Sequence, residues 1–227
     1  MMRSMMKRVS RVRRLVRIRI AGSSSNPPDW VVLPDILGAV SHSTQGDEVE
    51  KNLHEALGRS QRLGFLGDWP IPEVVEHARV FVAALDGVIG AVIDLGAGGG
   101  VPGLVVATDR PDLQLTLLDR RTKRTDFLAQ MVRRLDLDGH TKVLAADVDD
   151  AIQAGHVGFD AAIARGFGPP EFTLRSAVAC VRPGGVIVIS EPPSGDRWDP
   201  ELLRELDVVR TPSDDRVVRF VVGLRAE

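Results

Sequence analysis

From residue 88 onward, short apolar runs alternate with longer segments whose apolar residues recur every three or four positions. The runs predict strands over 91–95, 113–119, 142–146, 159–164 and 186–191. The segments between them predict a helix after Gly100, helices over 122–135 and 170–181, and a short one near 149–154. Strands this apolar, separated by helices, belong to a parallel sheet covered on both faces. The RPGG stretch at 182–185 reads as the turn into the fifth strand. The tail breaks the rhythm. Segments 206–210 and 216–224 are separated only by the polar turn TPSDD, so they are expected to pair antiparallel.

Upstream, Val49, Leu53, Ala56, Leu57 and Leu63 stand at helical spacing, and Pro72 opens a second helix running to Leu85. Gly67, Pro70 and Pro72 mark the turn between the two. The expected organisation is an arm over 1–28, a helical cap over 29–87 and an α/β domain over 88–227. The AGSSSNPP stretch at 21–28 has the composition of a linker.

Charge changes this picture only at the N-terminus. Eight basic and no acidic residues fall within 1–28, leaving 21 basic and 31 acidic residues for the rest. A basic arm on an acidic body suits a polyanion such as RNA, or a tail that stays outside the fold. Cys180 is the only cysteine, which excludes an intrachain disulfide and a cysteine-based metal cluster and fits a reducing cytoplasm. The five histidines lack metal-ligand spacing, so no metal is expected. No run approaches the roughly 18 apolar residues of a membrane span.

The chemistry concentrates at AVIDLGAGGGVPGL, residues 91–104. A buried strand ending in a glycine-dense turn and feeding a helix lets backbone approach a ligand closely. The spacing is G-x-G-x-G, with Val101 standing where the last glycine of a dinucleotide fingerprint would fall. Asp94 precedes the turn and either fixes the loop or orients a ligand amino group. Asp119 closes the second strand 23 residues after Gly96, where a carboxylate can accept both hydroxyls of a ribose or serve the next helix as an N-terminal acid. Asp147 ends the third strand and either accepts from an adenine amino group or caps the helix that follows.

On DLGAGGGVPGL (94–104), LLDRRTKRTDFL (117–128) and ARGFGPP (164–170), the chain resembles the RsmG (GidB) family of 16S ribosomal RNA guanine-N7 methyltransferases. The resemblance spans about 73–191. It implies a Rossmann-like class I methyltransferase fold, with a mostly parallel seven-stranded sheet, a C-terminal antiparallel strand and S-adenosylmethionine as cofactor. It also implies a cytoplasmic, monomeric enzyme acting on ribosomal RNA or the small subunit. The implied cofactor residues are Asp94, Gly96, Ala97, Gly98, Gly100, Asp119, Asp147 and Val148. Arg165 matches the arginine beside the substrate pocket and is the candidate catalytic residue, with Lys123, Arg124 and Phe167 facing substrate. Several family segments differ. Trp-Asn and Asn-Leu-Thr are absent, His77 is followed by ARVFV, the loop after strand three reads AADVDD, and SEPP (190–193) replaces a lysine. These changes keep two alternatives open: a small-molecule methyltransferase of the same fold, or a non-catalytic nucleoside-binding relative.

Overall fold

The structure is a computed structural model that describes residues 41–192 and 197–223. The basic arm, the linker, the start of the helical segment and Pro193 lie outside the described residues. Seven strands form one sheet: β1 (Gly90–Leu95), β2 (Leu113–Asp119), β3 (Thr141–Ala145), β4 (Phe159–Ala164), β5 (Val181–Ser190), β6 (Val208–Thr211) and β7 (Val217–Val222). Their order is β3-β2-β1-β4-β5-β7-β6, with β1 to β5 parallel and β7 antiparallel to both neighbours.

Alternation along the central strands assigns each residue to one of two cores. Val92 of β1 faces one layer, and Ile93 and Leu95 face the other. The first layer holds α1 (Ser41–Arg62), α2 (Ile71–Ala84), α3 (Gly103–Asp109) and α4 (Thr122–Arg134). The second holds α5 (Val148–Gln153), α6 (Pro170–Cys180) and α7 (Pro200–Glu205). The two helices of the expected cap therefore cover the same sheet face as α3 and α4. Arg79 of α2 ties three helices of this layer together, pairing with Glu50 of α1 and with Asp109 of α3 at 2.9 Å. Arg219 of β7 donates to the Ala84 carbonyl at 3.0 Å and anchors the end of α2 to the sheet.

Two local expectations need correction. The RPGG stretch lies inside β5, where Gly184 takes φ 74° and the pairing with β4 shifts register between Phe159 and Ala161. That irregularity absorbs the turn, so the strand starts immediately after α6. Between β5 and β6 lies α7, which is too short for periodicity to reveal. Asp199 caps it by accepting from the Glu201 N–H at 2.8 Å.

Asp94 is the polar exception in the core. It is 1% exposed, and its Oδ2 accepts the Gly103 N–H at 3.0 Å, joining the end of β1 to the first residue of α3. Its Oδ1 is buried and accepts no hydrogen bond among the described residues. Burial pushes this carboxyl up to about 7; the Gly103 bond and the Arg165 charge oppose the rise, and Asp119 adds to it.

Two outcomes are expected. Phe81 of α2 is fully buried, so Phe81→Ala should cost about 3–5 kcal/mol in urea denaturation. Asp94 holds its proton up to about pH 7 when folded but releases it in the ordinary carboxylate range when unfolded. Its contribution to stability is thus complete at low pH and lost as pH rises towards 7. Asp94→Asn should flatten that fall by on the order of a few kcal/mol, measured by denaturing both proteins at about pH 4 and pH 7.

Candidate functional site

In this strand order the chain reverses direction across the sheet at β1 and β4, and ligands of open α/β sheets bind beyond the carboxyl ends of such strands. A cavity of about 370 Å³ lies there. Of the residues expected at the cofactor, Gly96, Asp119, Asp147 and Val148 line it, together with Phe167 and Phe172 of the loop and helix that follow β4. The remaining expected cofactor residues build the turn beneath. Ala97 is buried and donates its N–H to the Leu118 carbonyl at 2.8 Å, and Gly100 donates to Ala97 at 2.8 Å. Gly98, at φ 55°, directs its N–H to Asp119 Oδ2 at 3.0 Å.

Asp119 is 5% exposed and heavily bonded. Oδ2 accepts from Gly98 and faces Arg124 Nη1 at 3.4 Å, while Oδ1 accepts the Arg121 N–H at 2.9 Å. It braces the entry to α4, and it presents an oxygen pair at the cavity wall. Asp147 also does two things: it caps α5 by accepting from Asp149 at 3.2 Å, and it lines the cavity, with Arg120 at 3.8 Å.

The residues expected at the substrate divide. Arg124 lines the cavity beside Asp119, and exposed Lys123 lies on a neighbouring hollow shared with Leu63 and Phe65. Phe167 lines the first cavity. A Cβ on Gly96 would come within 2.6 Å of its ring, which also stacks on Phe172 at 5.5 Å. Gly166, at φ 62°, turns the chain between Arg165 and Phe167, so these neighbours enter different cavities.

Arg165 lines a second cavity, of about 670 Å³, with Leu66, Trp69, Pro72 and His77. Its guanidinium is half-buried and has no hydrogen bond or ion pair among the described residues. Burial pulls it below the ordinary arginine value, and the Asp94 charge offsets part of that. His77 is likewise held below its usual value, first by burial and then by Arg165 and Arg216. Sequence reasoning missed Ser60, which donates to the Gly99 carbonyl at 2.8 Å and is fully buried. Its signal is a serine continuing the apolar stripe of Leu53, Ala56 and Leu57 on α1. After β5, where the family lysine is missing, buried Glu191 accepts from Trp198 Nε1 at 2.7 Å and pairs with Arg197 at 3.2 Å. Among the described residues, no group of three or more His, Cys, Asp or Glu side chains is placed to hold a metal, and no helix is long and apolar enough to cross a membrane.

Comparison with known proteins agrees with this geometry. A ribosomal RNA small subunit methyltransferase G of Corynebacterium efficiens is 26% identical over 213 residues, covering 90% of this chain and 89% of that one. One from Salinispora tropica is 31% identical over 132 residues, covering 55% and 54%. Among solved structures, a methyltransferase from Geobacter sulfurreducens superposes with a TM-score of 0.56 at 13% identity, covering 85% and 99%, a likeness of fold. The GidB family model, described as rRNA small subunit methyltransferase G, matches residues 73–192, which take in both cavities' strand-end walls and the turn between them. The chain belongs to the GidB family.

Proposed function

We propose that this chain transfers a methyl group from S-adenosylmethionine to guanine N7 in 16S ribosomal RNA, in the cytoplasm. The observation that carries the reading is the half-buried, unpartnered Arg165 in a cavity next to a nucleoside-sized one. The first cavity fits the cofactor chemically. Asp119 supplies an acceptor for a ribose hydroxyl, since a carboxylate has about four lone-pair sites and the protein occupies three. Gly96 leaves room for close approach, and Asp147 offers an acceptor for an amino group. Val148 and Phe167 supply apolar surface for a flat base.

The bound cofactor supplies an electrophilic methyl group on a sulfonium. The chain's part is alignment and charge control. Guanine N7 has an in-plane lone pair and carries no proton, so the site needs no base there. Arg165 can donate to the O6 edge of the guanine or to a nearby phosphate and hold the ring in place. Lys123 and exposed Arg120 and Arg121 add positive charge at the rim of the α4 entrance, suited to RNA phosphates.

Asp119→Ala is expected to weaken S-adenosylhomocysteine binding by roughly ten-fold or more in calorimetry, because it removes charge-assisted acceptors. Arg165→Ala should leave that affinity unchanged and slow methyl transfer to RNA; loss of cofactor binding in this variant would overturn the assigned role. The function itself is tested by mapping N7-methylguanine in ribosomal RNA from cells with and without the gene. Loss of one 16S position is expected on deletion, and an identical map sinks the proposal.

A further inference from the structure

The second cavity has a wall that the assignment of Arg165 does not explain. Trp69 is 68% exposed, a large apolar surface for a residue in such a well-packed layer. It is nonetheless held firmly. Gln61 of α1 donates through Nε2 to the carbonyls of Gly67 at 2.7 Å and Trp69 at 2.8 Å, and the Trp69 N–H donates to Gly67 at 2.9 Å. The same loop is fastened to the glycine turn, because a Cβ on Gly99 would lie 2.7 Å from Leu66 and 2.6 Å from Ser60 Oγ. A rigid backbone that presents an indole to solvent has already lost the entropy that binding would otherwise cost.

We infer that Trp69 is the stacking wall for the acceptor base, a purine splayed from single-stranded RNA, with Arg165 reading its edge. The chemistry of the cavity selects this occupant. Trp69, Leu66 and Pro72 supply apolar lining, and Arg165, Arg216, His77, Glu73 and Glu76 supply the polar lining. An aromatic face with an adjacent guanidinium matches a flat heterocycle with acceptors on its rim. Trp69 packs in this cavity while its loop touches the turn that walls the cofactor, so the base and the methyl donor are held from the same few residues. The inference rests on the methyl-transfer reading.

The test uses the full chain, Trp69→Ala, Trp69→Phe, and an RNA oligonucleotide carrying a single-stranded guanine. Trp69→Ala should raise KM for RNA about ten-fold or more, the effect of one lost base–aromatic stack, with S-adenosylhomocysteine affinity unchanged. Trp69→Phe should recover most of that loss, which a merely structural role would not show. RNA should also quench indole fluorescence of the wild type, and the quench should vanish in Trp69→Phe although Trp30 and Trp198 remain. Unaltered KM in Trp69→Ala, or absence of the quench, overturns the inference. So does a defect seen on 30S particles but not on the oligonucleotide, which would make Trp69 a contact for ribosomal protein. If the wild type binds cofactor yet methylates no RNA, the functional reading fails separately, and the fluorescence titration alone decides the role of Trp69.

Discussion

The turn after β1 has side chains pressed against it from four directions, and both cavities depend on that crowding. A Cβ on Gly96 would meet Phe167, on Gly99 Ser60 and Leu66, on Gly100 Leu104, and on Gly103 Asp94 and Leu117, each at less than 3.0 Å. The loop after β4, helix α1, helix α3 and strand β2 therefore all close onto bare backbone. Glycine is needed here both for close approach and for the dihedrals, since Gly96 and Gly100 also take φ 70° and 93°. Helix α1 reaches the turn through Ser60, and the Asp94–Gly103 bond fixes where α3 starts. Moving any one of these elements would disturb the wall of the first cavity, which Gly96 lines.

That crowding explains why α1 and α2 share the core of the first helical layer. A hinged cap would leave Gly99 uncovered on the side where Ser60 and Leu66 now sit. Instead, Arg79 and Arg219 bind α2 to α1, α3 and β7, and Phe81 packs it into the sheet face. The loop between α1 and α2 is the part of this layer that lines the second cavity, through Leu66, Gly67 and Trp69. Its geometry is thus inherited from the same packing that presses on the glycine turn.

The parallel strands were legible in the sequence because burial on both faces leaves short, continuous apolar runs, and β2 and β4 begin and end where those runs do. The acids at the ends of β1, β2 and β3 were legible for the same reason, since each interrupts a run at its carboxyl end. What escaped notice has a common cause. Ser60, Trp69 and Phe172 come from helices and loops remote in sequence from the glycine turn, and single residues carry no period. Phe167 is expected to face substrate as Arg165 does, and the left-handed Gly166 between them places the two residues in the linings of different cavities.

The charge pattern around Arg165 also bears on the acceptor proposed for it. Asp119 is neutralised on its own side by Arg124 and by two backbone N–H groups, so little of its charge is left over for Arg165. Asp94 is the carboxyl whose charge acts on Arg165, but burial keeps its proton up to about pH 7, which removes most of that anion below that pH. His77, held below its ordinary value, is neutral at pH 7 and adds no competing cation. Arg165 is left as a desolvated donor whose charge is only partly answered by the protein. Such a group gains most from an electron-rich edge that carries no net charge of its own to desolvate. The O6 and N7 rim of guanine has this character, and a compact anion, which would have to shed a full hydration shell, does not.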